Sequence, residues 1–295
     1  MASLQYHLPS PLEYFASLVL EDDAIPLTEA AISLAQDVYE DVDIQAVQYQ
    51  IDRWADTIKR RLPADAPVLH RLRMLNQFFF QELGMSGNAN NYYDPDNSFL
   101  HRVVETRRGI PISLAVIWLD LARAIKLDAQ GVSFPGHFMV TVYLPVGQVV
   151  MDPLSGNSFN AEELNEMLEP WRKRMGLPEP EEPSLGLHLR PATARDMLVR
   201  MLRNLKEIYR SNNSWGKALA VQQRLLILQP QAWEEYRDRA EVYAALGQSP
   251  QAKADWERYL HEMPDAPDRV LVLAHLMDLP DGDGMGDAAP RNPVA

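Results

Sequence analysis

The residues with the most chemistry in this chain are a serine, a histidine and an aspartate in three short central stretches: Gly109-Ile-Pro-Ile-Ser113, Phe134-Pro-Gly-His137 and Val149-Val-Met-Asp152-Pro. In that order they suit a nucleophile, a general base and the acid that orients it, the set used for acyl transfer and hydrolysis. The chain contains no cysteine, which excludes a thiolate nucleophile, disulfides and thiolate metal sites. Ser113 is left as the candidate nucleophile. Its alternative role is that of a first-turn serine capping its own helix, and the alternative for His137 and Asp152 is a hydrogen bond that holds a hairpin together. The pair has no obvious third ligand in sequence, so neither a metal nor another cofactor is expected.

The elements that must position these residues follow from periodicity. Leu114 to Ile125 is apolar, without internal Gly or Pro, and too long for a typical strand; it reads as a buried helix beginning near Pro111, because proline fits a first helical turn. His137 to Leu144 alternates, with Phe138, Val140, Val142 and Leu144 on one face and His137, Met139, Thr141 and Tyr143 on the other, as in a strand with one apolar face. Leu144-Pro-Val-Gly147 suits a turn, and Gln148 to Met151 a returning strand. Such a hairpin sets His137 opposite or diagonal to Asp152.

Upstream, Ser10 to Gly84 is helical in pattern, most clearly at Val47, Ile51, Trp54, Ile58 and Leu62, then at Val68, Leu72, Leu75, Phe79 and Leu83. Shorter helices are expected over Leu12 to Leu20 and, opened by Thr28, over Ala30 to Tyr39. Three adjacent aromatics, Phe78 to Phe80, belong to the core. Gly84 to Asn97 is rich in turn formers and reads as a surface loop, whose Asn90, Asn91, Tyr92 and Tyr93 border the central cleft.

Beyond a Pro- and Glu-rich stretch the chain repeats itself. Tyr209 matches Tyr243, and Ala218, Ala220, Arg224, Leu226 and Pro230 match Ala252, Ala254, Arg258, Leu260 and Pro264, each at an offset of 34 residues. That is the period of the tetratricopeptide repeat, a pair of antiparallel helices, and the matched alanines fall where helices approach closely. The segments Thr193 to Arg203 and Ala266 to Met277 are available to complete a short stack or to dock it. The expected organisation is a catalytic-type domain over 1–177, a linker over 178–191, helical repeats over 192–279 and a disordered tail over 280–295. Arg203, Lys206 and Arg210 share one side of a helix, beside Arg195 and Arg200; they form either a clamp for an acidic peptide or a solvated basic face.

The totals narrow the class. A net charge of −13 over 295 residues disfavours nucleic acid. No membrane-length apolar stretch and no signal-peptide pattern at the start are visible, so a cytoplasmic protein is expected. The oligomeric state is left open.

Together, Ser98-Phe-Leu-His-Arg-Val-Val-Glu-Thr-Arg-Arg-Gly-Ile-Pro-Ile-Ser-Leu, the Phe-Pro-Gly-His-Phe and Met-Asp-Pro-Leu-Ser-Gly stretches and the repeats resemble a bacterial family of SirB-type proteins. These join a transglutaminase-like domain to tetratricopeptide repeats, and the resemblance runs from about Asn91 to the end of the repeats. It implies an α+β chain: a helix-rich, papain-like domain with a small antiparallel sheet, followed by an all-α repeat region. It also implies a Cys at the start of the core helix, a His opening the next strand and an Asp on the strand after. His137 and Asp152 fit the last two places. With Gly109 and Arg123 matched to the helix landmarks, the Cys place is held by Pro111, and Ser113 lies about 200° further round the helix. The expected function is that of a non-catalytic transglutaminase-like protein binding a protein or peptide through its repeats. The alternative is a serine hydrolase or acyltransferase acting on a peptide or amide with Ser113, His137 and Asp152.

Overall fold

The computed structural model describes residues 8–88, 91, 93–176 and 185–280. The chain divides into two compact units, Met1–Asn212 and Asn213–Ala295. As the resemblance implies, the architecture is α+β: the first unit is helix-rich with small sheets, and among the described residues the elements of the second are all helices.

The first unit begins with α1 (Pro11–Leu18), opened by a reciprocal Ser10–Glu13 cap, then α2 (Leu27–Ser33), α3 (Ile44–Arg61), α4 (Val68–Asn76) and α5 (Leu100–Thr106). The helix expected to run on from α4 instead widens into a π-helical segment, Gln77–Glu82. The wider turn lets Phe78 and Phe79 both be buried, while Phe80 is half-buried. The expected loop that follows contains β1 (Ser86–Gly87), paired in parallel with β2 (Arg108–Gly109), and a 3-10 turn at Pro95–Ser98. Of the residues placed at the cleft, Asn90 and Tyr92 lie outside the described residues.

At the centre is α6 (Pro111–Ala124), with proline at its first position and buried without a break from Pro111 to Leu119. It packs on α2, α3, α4 and α5 and on an antiparallel sheet in the order β3 (Ala129–Val132), β4 (Met139–Leu144), β5 (Gly147–Met151), β6 (Ser158–Phe159). The expected hairpin is present: Val140 pairs with Met151 and Leu144 with Gly147, leaving Pro145 and Val146 in the turn.

One expectation is corrected here. The β4 strand does not have a single apolar face, since Met139, Val140, Thr141 and Val142 are all buried. The cause is a second cover: Val132, Phe134, Met139 and Val150 cluster with Leu164 and Leu168 of α7 (Ala161–Arg174) on the side away from α6. A sheet covered on both faces buries alternate residues on each side.

The next helix, α8 (Ala194–Ser211), packs on α2, α6 and the Pro95–Ser98 turn, within the first unit. The compact division thus falls inside the 192–279 region assigned above to repeats. Gly131 on β3 makes room for this packing, because a Cβ there would lie 2.7 Å from the Phe138 ring and 3.1 Å from the Met197 sulfur of α8. Of the expected 178–191 linker, residues 178–184 lie outside the described residues; Pro191 bridges to Val132 on the sheet edge. The expected tail lies outside them from residue 281 onward.

The second unit consists of α9 (Trp215–Leu228), α10 (Trp233–Ala245), α11 (Ser249–Glu262) and α12 (Arg269–Asp278). Ala218 and Ala252 are fully buried at helix contacts, as their matching implies, whereas Ala220 is half-buried and Ala254 is exposed. Ala240, Ala252, Trp256, Tyr259 and Val272 form one core across α10, α11 and α12. Arg239 of α10 grips Asp255 of α11 with two bonds, 2.6 and 2.8 Å long, and both side chains are largely buried. Removing one partner of such a pair strands the other charge, so Asp255→Ala is expected to cost about 3 kcal/mol. Hydrogen exchange of α10 and α11 amides, compared with those of α3, measures this; equal protection in wild type and variant would show the pair to contribute nothing.

Candidate functional site

His137 is placed by a tight turn. Phe134 and Phe138 are buried on either side of it, and Phe134-Pro-Gly-His137 has proline second, Gly136 third at φ +79°, and a 3.1 Å bond from the His137 N–H to the Phe134 carbonyl. This residue pattern is that of a type II turn. Asp152 follows the end of β5. The strand register sets Asp152 across from Met139, so His137 reaches it diagonally, with Nε2 3.0 Å from Oδ1.

The carboxylate has further partners. Its Oδ1 accepts from the Leu154 N–H at 3.0 Å, and its Oδ2 from the Ser155 hydroxyl at 2.9 Å. The same turn is closed by the Gly156 N–H on the Asp152 carbonyl and by the Asp152 N–H on the Asn157 carbonyl. Burial by itself raises the Asp152 pKa, but the bonds from His137, Leu154 and Ser155 outweigh it and hold the carboxyl below its usual range. Ser155 escaped the sequence reading; the signal for it was the Asp-Pro-Leu-Ser-Gly string, in which an aspartate can bond the backbone and hydroxyl two and three residues on.

Pro111 occupies the first position of α6 and is buried there. Ser113 is not joined to the histidine. Its side chain is fully buried, its hydroxyl lies 2.6 Å from the Asn97 carbonyl, which accepts its proton, and its oxygen accepts from the Ile110 N–H at 3.1 Å. The Ile110 N–H also reaches the Asn97 carbonyl, at 3.2 Å. Ser113 therefore tethers the loop at Asn97 to the start of α6 and satisfies a helix amide that has no partner within the helix. His137 and Asp152 are brought together, and Ser113 has its bonds elsewhere. Arg123, the other helix landmark, is exposed and pairs with Asp120 of its own helix at 3.3 Å.

The basic trio sits on α8. Lys206 is only 7% exposed, Arg203 is exposed and Arg210 half-buried, and each is already engaged within the chain. Another residue of the quoted stretch, His101 on α5, lies against Tyr39 with ring centroids 4.6 Å apart, and both its ring nitrogens are buried without a hydrogen-bond partner. Burial pushes its pKa down. Among the described residues no group of three or more His, Asp or Glu is placed to hold a metal ion, and no helix is long and apolar enough to cross a membrane.

The depressed Asp152 pKa carries a sign. The stability it contributes is fully present above the ordinary carboxylate value of 3.8 and is lost as pH falls through the lower native value. Asp152→Asn is expected to be less stable than wild type at neutral pH and to lose less on acidification below 3.8. Urea midpoints across that range check this, and parallel losses in the two proteins would rule the contribution out.

Comparison with known proteins agrees with this architecture. The transglutaminase-like superfamily profile matches residues 45–203, and the tetratricopeptide repeat profile matches residues 205–277, beginning inside α8. A UPF0162 protein of Xylella fastidiosa (strain 9a5c) is 38% identical over 261 residues, 88% of this chain and 92% of its own. The UPF0162 protein YchA of Escherichia coli (strain K12) is 25% identical over 260 residues, 88% of this chain and 94% of its own. Protein SirB1 of Salmonella typhimurium is 25% identical over 252 residues, 85% of this chain and 91% of its own. No solved structure matches. With its profile matches in the order the SirB-type resemblance implies, the chain belongs to the transglutaminase-like UPF0162 family.

Proposed function

We propose that this chain is a non-catalytic transglutaminase-like protein that serves as a protein-interaction module through its helical repeats. One observation carries the reading: the start of α6 offers Pro111 where the family resemblance expects a nucleophile, and the nearby Ser113 hydroxyl is fully buried with donor and acceptor both engaged. A proline side chain cannot attack a carbonyl. A serine whose proton is held by a main-chain carbonyl is not activated by an imidazole that needs to lie within hydrogen-bond reach. The His137–Asp152 pair then anchors the end of β5 to the turn before β4. Stacked helical repeats form surfaces that take up peptides or helices. Since α8 packs in the first unit and its cations are engaged, the partner surface is sought on α9–α12.

A tagged full-length chain is expected to capture a protein partner that is lost on deleting residues 213–279 and retained in His137→Ala. Capture unchanged by the deletion would count against the repeats as the binding region.

The second reading, a serine hydrolase or acyltransferase on a peptide or amide, draws its support from the 3.0 Å His137–Asp152 bond, the arrangement of a base with its orienting acid. A fluorophosphonate probe separates the two. The expected result is no labelling of native wild type, together with a stability loss of about 1–3 kcal/mol in Ser113→Ala from the two bonds removed. Labelling of wild type that disappears in Ser113→Ala would establish the enzyme instead.

A further inference from the structure

A cavity of about 270 Å³ lies within the first unit, bounded by Tyr93, Ser98 and Ile110 on one side and by Asn204, Glu207, Ile208 and Ser211 of α8 on the other. The four α8 residues are spaced three and four apart, so they form one stripe along the helix. Ser98 adjoins Asn97, whose carbonyl holds Ser113, and Ile110 immediately precedes Pro111, so the cavity sits beside the start of α6.

Ser98 is the telling residue. It is 1% exposed, and its hydroxyl has no hydrogen-bond partner in the protein. Leaving a buried hydroxyl unpaired is unfavourable unless a ligand or another group completes it. Several of its neighbours in the cavity wall can accept a hydrogen bond. Glu207 contributes a carboxylate and Asn204 an amide carbonyl, while the Ser211 hydroxyl donates to the Ile208 carbonyl at 2.9 Å and keeps its oxygen for accepting. Ile110 and Ile208 supply an apolar floor, and among the described residues no lysine or arginine lines the space. An anion entering it would meet the Glu207 carboxylate, in a chain of net charge −13. A protonated amine on a small apolar body would find a charge partner, neutral acceptors and an apolar surface together.

We infer that this cavity binds a small organic cation, with Glu207 pairing its ammonium group, Ser98 and Asn204 fixing its orientation, and Ile110 and Ile208 covering its apolar part. The site is separate from the partner surface sought on α9–α12, since its described lining residues all precede Asn212.

The test titrates full-length protein with benzylamine, benzyl alcohol and benzoate, observed by ligand NMR. Saturable binding of benzylamine is expected at millimolar concentration or below, with benzoate not binding. Glu207→Gln should weaken benzylamine roughly tenfold, as loss of a charge-assisted bond does. Ser211→Trp, a change at an exposed helix position that fills the cavity, should abolish binding with the circular dichroism melt unchanged. Absence of saturable benzylamine binding, benzoate binding as tight as benzylamine, or benzylamine affinity untouched by both variants would each overturn the assignment. Partner capture by the repeats can succeed or fail independently of all of these.

Discussion

The fold depends on the burial of α6. A helix whose residues from Pro111 to Leu119 are all buried has no polar stripe to show to solvent and must be covered on every side. Helices α2 to α5 and α8 cover part of it, and the sheet covers the rest. The largest side chain on the helix, Trp118, is wholly enclosed, and its indole N–H donates to the Asn76 side-chain Oδ1 at 3.0 Å. The Asn76 amide in turn approaches the Met151 sulfur at 3.3 Å, one residue before Asp152. A buried polar group needs a partner, and here that requirement links α4, α6 and β5.

The site follows from the same constraint. Because the first turn of α6 is itself in the interior, a side chain there must either be apolar or have its polar atoms satisfied within the protein. Pro111 meets the first condition and Ser113 the second. His137 and Asp152 lie further out, at the ends of β4 and β5, where partial solvent access lets an ionised carboxylate persist among three donors. The first turn of α6 is thus part of the core, with the bonded His137 and Asp152 nearer the surface.

Much of this was legible in the residues. The uninterrupted run from Leu114, the alternation after His137 and the offset of 34 residues reflect local periodicities, which survive in sequence because each is dictated by the helix or strand that carries it. What could not be read depended on tertiary partners. The strands β3 and β6 are short and carry Gln130, Gly131 and Ser158, so nothing in their composition marks them; they are strands because β4 and β5 supply neighbours. The double cover of β4 required α7, whose polar sequence with an internal Pro170 gives no hint of the sheet it covers. The α8 helix shares a tyrosine match with the repeats, yet its burial is decided by α2 and α6. Ser113 shows the limit most clearly, since a capping serine and a nucleophile have the same letter, and only the position of the Asn97 carbonyl separates them.

The tether from Ser113 to Asn97 closes a loop spanning 16 residues and enclosing the whole of α5. Both ends of the segment that carries α5 are thus held at one carbonyl. Breaking the tether releases the two ends of the 97–113 segment together, which eases local opening of α5. One buried hydroxyl thus bears on how readily a helix that it does not touch comes undone.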